Sequence, residues 1–486
     1  MKTERMAMST TVAIALLIVG LIVGGGIAYV ATPSRVSTTT STATSTATST
    51  ATSVLTTTKT VGASETATET TTITQTTTGP GQTVTVTSSG GGGLSGTITI
   101  GDLASLSGSL ASYGQREKIA VDMAINDINA YLATAGITNI KFQASHVDTG
   151  TDPAKALTGI QTLAAQGVKA FVGPLSSGEA SALLQFANQN HFVLCSQSST
   201  AISLAIPNDS LFRLSPNDAA QGKAIARELV DQGYKQIVVL NRHDTYGDGL
   251  AKEVIDDFKA LGGQASANSP FAYDITATDY TALLTSVQND YNTAVNEVGV
   301  SKVTIVAVTF ETDGAAILLK AQSSFSGLLN GVWFGTDGVA TSTIIANATS
   351  GSGQVAAKVK FPSTIGQPTP AHPTEKSIDF DKRFNAVANQ APDAYGPPAY
   401  DCAYLLALSI LAAGSYDGQA IQSVFPRVAN NYFGVTGWTL LQDSGDRSPV
   451  GYFIYEVQIL NGVPTWVKAG SYDTGTDTLT WEPGFP

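Results

Sequence analysis

Few side chains in this sequence are spaced for covalent chemistry. His243 and Asp244 form the one adjacent acid–base pair, and the four histidines (His146, His191, His243, His372) are scattered without metal-ligand spacing. Gly247-Asp248-Gly249 lies between a strand-like and a helix-like run, as a dinucleotide loop would. Lys252, however, takes the third glycine position, and Asp248 would repel a pyrophosphate. There is no Gly-x-Ser-x-Gly nucleophile elbow. A hydrolase or metalloenzyme is therefore not expected, nor is a cofactor, a metal or a catalytic residue. What the chain carries instead is a series of loops rich in glycine and hydroxyls. They are Ser105-Leu106-Ser107-Gly108, Gly173-Pro174-Leu175-Ser176-Ser177, Ser196-Gln197-Ser198-Ser199-Thr200, His243-Asp244-Thr245-Tyr246-Gly247 and Gly335-Thr336-Asp337-Gly338. Singly, each is ordinary turn material.

The elements around these loops explain their interest. Beyond Leu94, short β-branched runs alternate with amphipathic stretches, the pattern of an α/β fold with parallel sheets. One series runs from strand Thr97–Ile100 through helix Gln115–Ala133 to strand Phe192–Cys195. A second runs from helix Gln221–Gln232 to strand Val332–Gly335. A third segment differs, with helices at Glu375–Ala388, Ala399–Ala413 and Gln419–Val424, the last expected to stop at Pro426. Strands follow at Tyr452–Leu460 and Thr465–Ala469. In open α/β sheets the ligand crevice lies beyond the carboxyl ends of the strands, where the hydroxyl-rich loops fall.

Composition limits the partners. Charged residues make up 13% of the 486, and the net charge of −12 argues against nucleic acid. Residues 12–31 are uncharged and long enough to cross a bilayer, and Lys2 and Arg5 before them leave residues 1–11 in the cytoplasm. The expectation is a membrane anchor, with a cleaved signal sequence as its rival and the body at the cell surface. Residues 32–96, Ser/Thr-rich and from Ser37 to Thr78 nearly all Thr, Ser or Ala, read as a disordered stalk open to O-glycosylation. Asn208 and Asn347 head two sequons for N-glycosylation. Cys195 and Cys402 permit one long-range disulfide or two buried thiols; the apolar run around each favours thiols.

Six segments, IGDLASLSGSLASYGQ, AVDMAINDIN, FVGPLSSGEA, CSQSSTA, HDTYGDGLA and WFGTDGVA, occur in an order and spacing that resembles the branched-chain amino acid binding proteins of ABC importers. The likeness runs from about Thr97 to Trp481. It implies a two-lobed type I periplasmic-binding fold, each lobe a parallel-rich sheet flanked by helices, with three hinge crossovers. The lobes expected are 97–217 with 361–433, and 218–360 with 434–486. Carried over by position, Ser177 and Thr200 would hold a ligand carboxylate, aided by backbone amides near Ser198 and Ser199. Asp337 would hold the ammonium group, and Tyr113, Tyr246, Phe310 and Tyr395 would wall the side-chain pocket. Ser198-Ser199 departs from the small apolar residues common there, which points to a more polar ligand. Gly150 and Ser176 stand in the region where several relatives carry a disulfide.

Physical chemistry supports these roles. A closed cleft must partner both charges of a zwitterion or lose several kcal/mol per ion to desolvation. Ser177 opens a helix whose free amides favour an anion. The expected function is capture of an amino acid, branched-chain or more polar, by hinge closure, and its delivery to a permease by a monomeric binding protein. The alternatives are a sensing ectodomain working through a separate membrane partner, and a ligand-independent surface or adhesion protein.

Overall fold

The computed structural model describes residues 94–367, 373–449 and 451–486 and, of the preceding segment, only backbone strands at Ala43–Thr46, Ala51–Thr58, Thr70–Thr77 and Val84–Val86. These four strands pair antiparallel, where a disordered stalk is expected. Their β-branched threonines favour extended backbone. The expected cytoplasmic tail and membrane span, and His372, lie outside the described residues. The segment to Gly96 and the body from Thr97 form separate compact units.

In the body, the first sheet has the order β2-β1-β3-β4-β5: β1 (Gly96–Ala104), β2 (Ile140–Asp148), β3 (Ala170–Val172), β4 (Val193–Ser196) and β5 (Leu211–Arg213). The pairs β1–β3, β3–β4 and β4–β5 are parallel. Strands buried on both faces suit the apolar runs Ala170–Val172 and Val193–Cys195. Helices α1 (Ala111–Thr134), α2 (Pro153–Ala165) and α3 (Ser177–Gln189) connect the strands. Their starts follow local chemistry: Asp152 caps α2 by accepting from the amides of Ala154 and Lys155, with Pro153 as its first residue, and Ser176 with Glu179 forms a capping box on α3.

The chain then builds a second parallel sheet from β6 (Gln236–Arg242), β7 (Gln264–Ala265), β8 (Phe271–Tyr273), β9 (Val303–Val308) and β10 (Trp333–Phe334). It is covered by α4 (Asp218–Asp231), α5 (Thr245–Ala260), α6 (Thr281–Val298), α7 (Glu311–Ser324) and α8 (Ser352–Lys358). Strand β11 (Ser363–Gly366) follows. Helices α9 (Glu375–Ala388), α10 (Gly396–Ala413) and α11 (Gly418–Ala429) return to the first sheet, where α10 packs on α1. After a two-stranded hairpin, β12 (Phe433–Gly434) and β13 (Gly437–Trp438), come β14 (Gly451–Leu460), β15 (Val463–Asp473) and β16 (Thr478–Trp481). The last three form an antiparallel sheet with β11.

Four expectations change. Ser363–Gly366, expected with the first lobe, pairs with β14 and joins the second sheet through the Gly335–Ser363 bridge, because the edge of β14 is open to it. Residues near Gly445, expected with the second lobe, lie on β5: the Arg213 amide donates to Gly445 O at 3.0 Å, and its buried guanidinium pairs with Asp446 at 2.6 Å. Pro426 does not end α11, which runs on to Ala429; buried Phe425 stacks on Phe212 at 4.4 Å and holds the helix across the proline. Finally, Cys195 and Cys402 are joined in a disulfide, their Cα atoms 5.5 Å apart, because α10 packs over the end of β4. Apolar surroundings had favoured thiols, yet they equally describe the contact of a core helix with a core strand.

Candidate functional site

Each loop after a strand places its polar atoms by local bonding. At the first sheet, α3 begins at Ser177, immediately after the capping Ser176. The Ser177 hydroxyl accepts from the amides of Thr200 and Ala201, both at 3.1 Å. Those bonds occupy its lone pairs, so its own hydrogen is available to donate. Ser198 donates its hydroxyl to Leu175 O, tying the β3–α3 and β4 loops together. The Thr200 hydroxyl is buried beside the Asp218 carboxyl. A helix N-terminus with hydroxyls directed around it is a site for an anion.

From the second sheet, the loop after β10 presents Asp337, buried against two tyrosines. Tyr246, in the first turn of α5, donates to Asp337 Oδ1 at 2.6 Å, shares a bond with Thr336 Oγ1 at 2.7 Å and accepts from the Gly338 amide at 3.2 Å. Tyr395, which precedes α10, donates to Asp337 O at 3.0 Å and lies 3.2 Å from Oδ2. Gly338 must be glycine here, since a Cβ would stand 2.5 Å from Thr309 O. Burial pushes the Asp337 carboxyl up from its usual range, although the tyrosine hydrogen bonds oppose the shift.

Asp218, at the start of α4, is a second buried carboxylate, and it is missing from the sequence reading. Burial, followed by the charge of Asp337, raises its pKa well above normal, while the Thr200 hydroxyl and the Arg213 charge oppose the shift. Its amide donates to Thr200 O at 2.9 Å, which holds it beside the hydroxyl loop. Nothing in Ser215-Pro216-Asn217-Asp218 marks this role, because the segment reads as an ordinary helix cap.

Leu110, Leu175, Ser176, Ser177, Ser198, Thr200, Tyr246, Phe310, Asp337, Gly338 and Tyr395 line one narrow cavity. Seven residues singled out in the sequence therefore meet at one place from segments far apart in the chain. Phe310 stacks on Tyr246 with centroids 5.1 Å apart, and the Arg242 guanidinium covers its other side at 3.6 Å. Two expected residues do not line the cavity. Tyr113 stands behind it, its ring edge-on to Tyr395 at 5.0 Å and its hydroxyl donating to Ala340 O at 2.8 Å. Ser199 turns into the β4 loop, its amide on Ser196 Oγ at 3.0 Å and its carbonyl on Arg213. A side chain's direction within a loop depends on backbone turns that residue types alone do not specify.

The rival acid–base pair has structural roles. Asp244 caps α5 through the Gly247 amide, while His243, exposed, pairs with Asp248 at 2.8 Å. Gly247 is required for packing: a Cβ would lie 2.0 Å from Arg242 O. Among the described residues, no cluster of histidine, cysteine or acidic side chains could hold a metal ion. Asn208 is exposed and Asn347 half-buried.

A family model described as "receptor family ligand binding region" matches residues 116–459. An uncharacterized protein of Methanocaldococcus jannaschii is 30% identical over 419 residues, 82% of this chain and 95% of that protein. The Leu/Ile/Val-binding protein of Escherichia coli is 26% identical over 197 residues, 40% of this chain and 52% of that protein, so the match spans about half its length. The branched-chain amino acid transporter substrate binding protein of Streptococcus pneumoniae, solved with isoleucine, shares the fold: TM-score 0.62 and 24% identity over 77% of this chain and all of that one.

Proposed function

We propose, from the premise that this chain belongs to the receptor ligand-binding-region family and has the α/β type I periplasmic-binding fold of its branched-chain amino acid binding members, that it captures a zwitterionic amino acid. The observation that carries the reading is the division of the cavity by charge. One wall offers the hydroxyls of Ser177 and Thr200 at the start of α3, and the other offers Asp337, with buried Asp218 beside it. None of the residues lining the cavity is cationic. An ammonium group would find the Asp337 carboxyl, with Asp218 beyond it, both with pKa values raised chiefly by burial, and a carboxylate would find a helix N-terminus. Uncharged solutes would leave these groups uncompensated.

The two sheets with their helices would act as lobes. Ligand settles on one and the other closes over it, since contacts from both sides exist only in the shut form and stabilise it. The loaded protein would then pass its amino acid to an ABC permease. Residues 12–31 would hold it at the outer membrane surface on the Ser/Thr-rich segment, without the aid of a cofactor. A thermal-shift screen of the full chain against amino acids, amides and small organic acids tests the reading. Ligand at 100 times its dissociation constant adds about 2.7 kcal/mol. A shift confined to amino acids supports it; folded protein with no shift across the panel rejects it.

A further inference from the structure

Beyond the cavity, a carboxylate of the second half is bound directly to the first. Glu311 opens α7, and its carboxylate reaches across to the N-terminal turn of α1. The Ser112 amide donates to Oε2 at 3.2 Å, the Ser112 hydroxyl donates to Oε1, and Ser342 donates to Oε1 at 2.6 Å. The side chain is fully buried and is not among the residues that line the cavity. A carboxylate set against the amides of a 24-residue helix is favoured by the helix dipole, and here that helix belongs to the other half. Next to it, Tyr113 of α1 donates to Ala340 O of the same loop as Ser342.

We propose that Glu311 is the closure latch of this protein: a positioning residue that holds the two halves shut through Ser112 and so sets affinity without touching the ligand. The proposal rests on the hinge-closure reading. Geometry requires the contact to break on opening, because α1 is packed on the first sheet and α10, and α7 on α8 of the second. Opening would return Glu311 to water.

Titration follows from that movement. Around the carboxylate, α1 offers Tyr113 and Arg116, the segment before α10 offers Asp393 (paired with Arg116 at 3.3 Å), the loop at Ser342 offers only hydroxyls, and α7 itself carries Asp313. With no cation on Glu311, burial outweighs the serine bonds and carries it up to about 7 in the shut form. In the open form it reverts toward the ordinary 4.5. Closing therefore takes up a proton between these values. Its help to closure is complete below the open-form pKa and is lost as pH rises through about 7, by at most roughly 300-fold in affinity.

The test uses the full chain and each protein L-amino acid offered singly. Glu311→Ala should weaken every amino acid that binds by one common factor, roughly 10- to 100-fold, through faster dissociation. Glu311→Gln, the isostere of the protonated side chain, should match wild type at acid pH and bind more tightly than wild type above pH 7. Asp337 and Asp218 titrate in both proteins, so the ratio of the two isolates Glu311. Ser112→Ala should lower affinity, and a double-mutant cycle with Glu311→Ala should be non-additive. The latch is refuted if wild type binds and closes while Glu311→Ala keeps its dissociation constant, if the loss differs among amino acids, or if it is matched by an equal fall in ligand-free melting temperature. Failure of wild type to bind or to change its radius of gyration would instead overturn the closure reading beneath it.

Discussion

Replacing Asp337 is the most direct challenge to the zwitterion reading. Its carboxylate is 5% exposed, accepts from Tyr246 at 2.6 Å and lies 3.2 Å from the Tyr395 hydroxyl. An ammonium group brought here becomes one half of a buried ion pair, and removing one partner of such a pair costs about 3–5 kcal/mol, or ~160- to ~4,600-fold in dissociation constant. Two features of the site bring the figure to the lower end. Asp218 remains to share the ammonium, and burial already raises the Asp337 pKa, so the free protein gains something when the charge is removed. Asp337→Ala should therefore weaken an amino acid at least ~100-fold. Asp337→Asn keeps the shape and an oxygen for the tyrosines, so a comparable loss there assigns the effect to charge. The assay is calorimetric titration of wild type and both variants, with melting temperatures as a control for folding. Affinities of both variants within about threefold of wild type, under 1 kcal/mol, would refute the ammonium role. The same logic gives a pH direction: affinity through Asp337 falls as acid protonates it, starting from a pKa above the normal carboxyl value.

Ser177→Ala should cost roughly 10- to 100-fold in affinity, the range for hydrogen bonds to a charged group, and an unaltered dissociation constant would remove it from the carboxylate site. The Cys195–Cys402 disulfide closes a long loop, with a sequence separation of 207, and replacing both cysteines with serine should cost about 2–5 kcal/mol in denaturant unfolding. Unchanged stability would deny it a structural role. Burial alone would lower the His146 pKa, but hydrogen bonds and charge from Asp102 and Asp122 carry it up to about 9. Its contribution to stability is full below the unfolded value near 6.5 and is lost as pH rises through about 9. His146→Gln should flatten that alkaline decline in melting temperature, and an identical decline in both proteins would reject the assignment.

Much of the site was legible because hydrogen-bonding loops after parallel strands announce themselves locally. Ser177 follows a cap, Tyr246 follows another, and Asp337 sits between residues that turn. Asp218 was not legible, because its partners are Thr200 and Asp337, 18 residues before it and far along the chain, and its own neighbours describe only a helix start. Glu311 was hidden for the same reason. Its donors Ser342 and Ser112 are 31 and 199 residues away.

By itself, the sequence determined the alternation of strand and helix, the placing of hydroxyl-rich loops at strand ends and the lack of any constellation for covalent catalysis. Those properties depend on periodicity, caps and residue chemistry, which act over a few neighbours. Tertiary structure alone decided that Cys195 meets Cys402, that Ser363–Gly366 pairs with β14, that Tyr113 and Ser199 stand outside the cavity, that Asp218 is buried near Asp337, and that Glu311 meets α1. Each of these is a contact between distant segments, whose free energy arises only when packing of the two sheets and their helices brings the segments together and removes water from between them.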